Sequence, residues 1–186
     1  MAEVLLTAFY LQIPVVIGGV LHMLAVTRNW LPALKKPVCV TCFGANKTWR
    51  GFILMPLLTA FGAVCLWPVE LWQGCEGVFG GASILPLLPT LLLAGLIAGT
   101  GYTLAELPNS LIKRHLGIEP GDTPARHRTL FILTDQIDSG IGVALAYAVY
   151  PGISWEICLT YAVTFPATAL LVKRLLFLCQ LKKSAT

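Results

Sequence analysis

The sequence predicts an all-α integral membrane protein, a bundle of five transmembrane helices that forms a single membrane domain over residues 1–186. Three observations carry that expectation. Hydrophobic residues make up 56% of the chain and charged residues 12%, against about 45–50% and about 25% in ordinary soluble domains. With a mean hydropathy of +0.77, a water-soluble globule, a disordered chain and a disulfide-stapled secreted module are excluded as first readings. Five apolar runs, at residues 4–26, 52–72, 82–105, 130–150 and 153–172, each reach the length of about 20 residues that a helix needs to cross the hydrocarbon core. All 13 Lys and Arg residues then fall on one side of the bundle.

Taken in order, the first run has no basic residue before it and exceeds a usual signal-peptide core, so it is expected to stay as a span. The connection that follows, at about residues 27–51, holds Arg28, Lys35, Lys36, Lys47 and Arg50. Between the second and third runs lie Glu70 and Glu76 and no cation. The next connection, at about residues 106–129, holds Lys113, Arg114, Arg126 and Arg128, and the tail holds Lys173, Arg174, Lys182 and Lys183. Basic connections face the cytoplasm, so the N-terminus is expected outside, the C-terminus inside, and the two long connections on the cytoplasmic face of an inner (cytoplasmic) membrane. Pro14, Pro56, Pro86, Pro89 and Pro166 fall inside the runs, where each frees a backbone carbonyl and marks a bend. Gly95, Gly99 and Gly101 form a small-residue face suited to close helix packing.

Other motifs point to little chemistry. Cys39 and Cys42 make one C-x-x-C, but a zinc site wants a second ligand pair at similar spacing, so reduced, incidental thiols are expected. His22, His115 and His127 are scattered and have no triad partner.

Three polar clusters remain, all on the basic side. The first, Asn46-Lys47-Thr48-Trp49-Arg50-Gly51, offers two cations, a hydroxyl and a helix start that can gather round phosphate oxygens; an interfacial anchor would read the same way. The second runs from Glu106 through Asn109, Ser110, Lys113 and Arg114 to Asp122, and its carboxylates are not what a simple anchor requires. The third is Asp135-Gln136-Ile137-Asp138, inside an apolar run, where a carboxylate costs about 2.5–3.5 kcal/mol at a helix centre. A spacing of three puts both carboxylates on one helix face near the cytoplasmic side. Such a pair suits a hard cation such as Mg²⁺, with Mn²⁺ as a substitute; a proton relay or a structural ion pair stays open on the residues alone. Metal-binding carboxylates beside basic loops suit a nucleoside triphosphate, and the adjoining apolar bundle suits a lipid.

In combination, Asn46-Lys47-Thr48-Trp49-Arg50-Gly51, Ser110-Leu111-Ile112-Lys113-Arg114 followed by Gly121-Asp122, and Asp135-Gln136-Ile137-Asp138 resemble the CDP-archaeol synthase family, membrane cytidylyltransferases related to CDP-diacylglycerol synthases. The resemblance spans roughly two-thirds of the chain, from the first basic connection through the fourth span. It implies an enzyme that transfers CMP from CTP to a membrane lipid phosphate of the 2,3-bis-O-isoprenyl-glycerol 1-phosphate type, giving CDP-archaeol and pyrophosphate with Mg²⁺. On that reading Asp135, Asp138 and Lys113 are catalytic and the two aspartates bind the metal. Asn46, Lys47, Thr48, Arg50, Gly51, Ser110, Arg114 and Asp122 bind the nucleotide, and no nucleic acid is a partner. The diacylglycerol enzymes carry a glycine- and histidine-rich stretch before an Asp-Arg-x-Asp motif. This chain lacks that stretch, which favours the archaeol branch and leaves phosphatidate as the alternative substrate. A small ion or solute transporter is the alternative from another class, although such proteins place their sites near the bilayer midplane and show repeats.

Overall fold

The computed structural model describes residues 1–74, 77–79, 87–120, 122 and 128–178, residue 128 by its backbone alone. Residues 82–86 of the third expected span, with Cys75, Glu76, Gly121, Arg126, His127, Cys179, Lys182 and Lys183, lie outside the described residues. The described chain is helical: α1 (Ala2–Thr27), a 3-10 turn at Pro32–Leu34, α2 (Val40–Phe43), α3 (Trp49–Val64), α4 (Trp67–Trp72), α5 (Leu87–His115), α6 (Arg128–Ala148) and α7 (Trp155–Leu178). Among these residues there is no strand; a lone bridge pairs Pro37 with Thr48.

Five helical segments are long and apolar enough to cross a membrane, with α3 and α4 together making the second. Their surface supports that environment. Large apolar side chains such as Phe61, Leu145 and Val163 point outward, while Gln12, Thr59, Gln136 and Ser139 are buried between helices. Polar groups inside and apolar ones outside are what a hydrocarbon solvent selects.

The helices close into a ring in which α1 packs on α3, α3 on α5, α5 on α6, α6 on α7, and α7 back on α1. Small residues let one pair approach backbone to backbone. A Cβ added to Gly95 would lie 2.4 Å from Ala60 Cα, and one added to Gly99 would lie 2.5 Å from Pro56 Cα. The small-residue face therefore seats α5 against α3, while Gly101 meets α6 at Gly142.

One expectation is corrected. Residues 106–115, assigned to a connection, continue α5. At 1.5 Å per residue its 29 residues span about 43 Å, which exceeds a hydrocarbon core of about 30 Å. The loss of apolar character at Glu106 marks where the helix leaves the core, not where it stops. Pro108 lies inside the helix, and Ser110 Oγ donates to Glu106 O at 2.8 Å one turn back.

Candidate active site

The extra turns of α5 build the site. Tyr102, Glu106, Asn109 and Lys113 recur at steps of four, three and four, which sets them on one helix face. That face meets the first turns of α6, where Asp135 and Asp138 stand one turn apart. Asn109 Nδ2 donates to Asp135 Oδ1 at 2.6 Å and to Asp138 Oδ2 at 2.7 Å. Lys113 forms an ion pair with Asp135, and its ammonium lies 5.8 Å from the centre of the Phe131 ring. Ser139 fixes Asp138 through its backbone N–H and through its hydroxyl at 3.0 Å.

The connection after α1 closes the site from the other side. Val38 N donates to Lys47 O at 2.8 Å and Trp49 N to Lys36 O at 3.0 Å, which pinches residues 37–48 into a closed loop. Lys47 reaches from its neck to pair with Glu106, 59 residues away. The resulting cavity, about 290 Å³, is lined by Asn46, Lys47, Ser110, Lys113, Arg114, Asp122, Asp135 and Asp138. All three proposed catalytic residues and five of the eight proposed nucleotide ligands thus share one space.

Both ion pairs are partly exposed, with side-chain exposures of 24% and 27% for Lys47 and Glu106 and 12% and 40% for Lys113 and Asp135. Pairs this open add little stability and are free to exchange partners. Arg114 differs: its Nε and Nη1 are buried with no hydrogen-bond partner. Leaving cationic donors unmet is costly, and oxygen atoms of an anion would satisfy both at once.

Thr48, Arg50 and Gly51 are not in this cavity. They line a neighbouring one of about 460 Å³ with His22 and Lys35, and Asn46, Lys47 and Glu106 are common to both. The sequence grouped Arg50 with the phosphate ligands because it follows Lys47 by three residues. Lys47 precedes α3, however, whereas Arg50 lies on its first turn and is 4% exposed. Its Nη1 donates to Asn29 Oδ1 and Trp30 O, each at 3.2 Å, across a turn in which Asn29 and Leu31 hold φ of 51° and 50°. Arg50 fastens α3 to the end of α1.

An apolar groove of about 190 Å³ completes the setting. Val16, Val20 and Met23 of α1 face Phe165 and Val172 of α7 across it, and Tyr102 and Lys173 belong to both groove and polar cavity.

The residues fit a divalent cation. One oxygen from each aspartate converges on the Asn109 amide, and turning that amide about its last bond would present its oxygen to the same point. Amide orientation is assigned from hydrogen bonding. Among the described residues no third His, Cys, Asp or Glu completes a protein-only cluster. Mg²⁺ is commonly held by one or two carboxylates plus substrate phosphates, so two aspartates suffice. Glu106 and Asn109 stood in the second cluster of the sequence without an assigned role, and Tyr102 and Lys173 were not singled out; for the α5 residues the 4-3-4 spacing from Tyr102 to Lys113 was the available signal, hidden by treating residues 106–115 as a connection.

No family model matches this chain, and no curated protein or solved structure matches it.

Proposed function

We propose that this chain is a membrane cytidylyltransferase of the CDP-archaeol synthase type, transferring CMP from CTP to a lipid phosphate on the cytoplasmic face of the inner membrane. The observation that carries the reading is a single cavity holding two convergent carboxylates and Arg114, whose Nε and Nη1 are buried without a partner, open beside an apolar groove. A phosphate-bearing lipid suits that junction, with its chains along α1 and α7 and its headgroup near Tyr102 and Lys173.

In the proposed reaction an oxygen of the lipid phosphate forms a bond to the α-phosphorus of CTP. The bond from that phosphorus to the β-phosphate oxygen breaks, and pyrophosphate leaves. Mg²⁺, or Mn²⁺ in its place, when held by Asp135 and Asp138, supplies charge withdrawal from the attacked phosphoryl group. Arg114 and Lys47 bind the departing phosphates, Arg114 with a fork that matches two oxygens. Lys113 moves from Asp135 to a phosphate oxygen as the carboxylate changes partner, and Asn109 holds the two aspartates in register. Placing nucleophile and nucleotide in one cavity removes most of the entropic cost of their encounter.

The test is direct. Detergent-purified protein is incubated with radiolabelled CTP, Mg²⁺ and either an isoprenoid-ether glycerol phosphate or phosphatidate. Labelled CDP-lipid and pyrophosphate in equal amounts are expected, with the ether lipid preferred. Product from phosphatidate alone would replace the archaeol assignment, and no transfer by folded protein to either lipid would end the transferase reading. Orientation is read separately, since Cys39 and Cys42 should label only from the cytoplasmic side.

A further inference from the structure

The closed loop at residues 37–48 carries a feature that the transferase reading leaves unused. Cys39 caps α2 and Cys42 lies within it. Cys42 N donates to Cys39 Sγ at 3.3 Å. Thr41 Oγ1 lies 3.3 Å from Cys39 Sγ and 3.8 Å from Cys42 Sγ. Both cysteines are free and half-buried, so reagents can reach them. Cys39 caps the single turn of α2 that holds Cys42, and a small local adjustment brings the pair within the separation a disulfide needs.

The pair is also asymmetric. Hydrogen bonds from the Cys42 thiol, and next from Thr41, hold the Cys39 thiol below its ordinary value, while the same contact pushes Cys42 up. The loop connects this pair to the site. Phe43, next to Cys42, lines the polar cavity. Gly44 follows with φ of 84°, and a Cβ added there would lie 2.8 Å from Arg114 Nη1 and 2.8 Å from Pro120 Cγ. The end of α2 is therefore packed directly onto the unpartnered arginine.

We propose that Cys39 and Cys42 form a reversible intramolecular disulfide by exchange with a small-molecule disulfide such as oxidised glutathione, and that closing it alters phosphate binding at Arg114. In the first step the Cys39 thiolate attacks one sulfur of the small disulfide, forming a mixed disulfide and releasing one thiol. The Cys42 thiolate then attacks the Cys39 sulfur and releases the second thiol. The sum converts one protein dithiol and one small disulfide into one protein disulfide and two small thiols. Intracellular disulfides of this kind are transient and serve sensing or catalysis. The dithiol chemistry stands apart from the transferase reading; the effect on Arg114 rests on it.

The experiment incubates full-length protein in detergent with oxidised glutathione, alkylates it and reads the peptide spanning residues 39–42 by mass. The expected product is 2 Da lighter than the dithiol, unalkylated, and restored by dithiothreitol. With limiting alkylating reagent, reduced Cys39 should react faster than Cys42, since the thiolate is the nucleophile. Cys42→Ser should instead retain one glutathione on Cys39. Full alkylation of both cysteines after oxidation, a disulfide between two chains, or zinc that co-purifies and protects the pair would each overturn the proposal. Pyrophosphate binding is then compared between reduced and oxidised protein, with a change of at least about fivefold expected, the lower end of usual coupling between sites. If reduced Arg114→Ala binds pyrophosphate as well as the parent does, the phosphate reading fails. If Arg114→Ala loses binding while oxidation of the parent changes nothing, the switch alone fails.

Discussion

The bundle holds two sets of buried or half-buried carboxylates, and they are built in opposite ways. Glu70, in the first turn of α4, is fully buried. It accepts from Tyr10 Oη at 2.8 Å and from Phe79 N at 3.5 Å, beneath an aromatic layer in which Phe79 contacts Tyr10, Tyr147 and Tyr150. About 18 Å along α6, at 1.5 Å per residue, Asp135 and Asp138 face a cavity and hold partners that can exchange. A closed carboxylate, satisfied by groups it cannot trade, ties elements together. An open one, held by an amide and an ammonium beside a cavity, keeps partners that it can exchange. Burial alone does not separate the two; access and exchangeable partners do.

The comparison breaks most readily at the aspartates. Asp138→Asn keeps shape and removes one charge, and turnover should fall at least about 100-fold, equivalent to about 2.7 kcal/mol of lost transition-state stabilisation. Asp135→Asn should behave alike, and the double variant should cost less than the product of the two, as for groups that act as a unit. Radiolabelled CTP turnover at fixed Mg²⁺ measures all three, and near-normal activity in either single variant would remove the metal assignment. Both variants should still insert, because each sheds a charge from a membrane segment.

Arg114 gives the next largest effect. Arg114→Lys retains charge but loses the two-pronged geometry, and pyrophosphate should bind about tenfold more weakly, a loss of about 1.4 kcal/mol. Equilibrium binding of labelled pyrophosphate reads this directly. Unchanged affinity would mean that the buried guanidinium serves packing alone.

At Glu70 the opposite pattern is expected. Glu70→Ala strands the Tyr10 hydroxyl and the Phe79 N–H at a cost of about 1–3 kcal/mol, read as a melting midpoint lower by about 2–4 °C per kcal/mol. Turnover per folded molecule should stay within about twofold, which is about 0.4 kcal/mol of barrier. A large fall in turnover with unchanged melting would place Glu70 in the chemistry and erase the contrast. Tyr10→Phe should have the smallest effect, about 1 kcal/mol for one hydrogen bond, since Glu70 still accepts from Phe79.

Much of this was legible from residue order. Five apolar runs gave five segments able to cross a membrane, and Asp135 and Asp138 stood out because charge inside an apolar run is costly. The other side of the site was obscured because the apolar run ends at Ala105 and residues 106–129 were assigned to a connection. Hydropathy reports where lipid stops, and backbone hydrogen bonding continued past that boundary. The Lys47–Glu106 pair joins residues 59 apart, a distance over which local pattern carries no information. Arg50 lies near Lys47 in sequence but on the first turn of α3, so it lines the neighbouring cavity and donates to Asn29 and Trp30.

The contact of α5 with α3 through Gly95 and Gly99 has a mechanical consequence. Two backbones in direct contact leave no flexible side chains between them to yield, so that side of the ring is stiff. On the far side, α7 buries only 11% of its apolar window, against 33–39% for the other spans. Compliance in the ring is thus concentrated in the helix that walls the apolar groove. The groove is walled by the least buried helix of the ring, while Asn109 and both aspartates stand on α5 and α6.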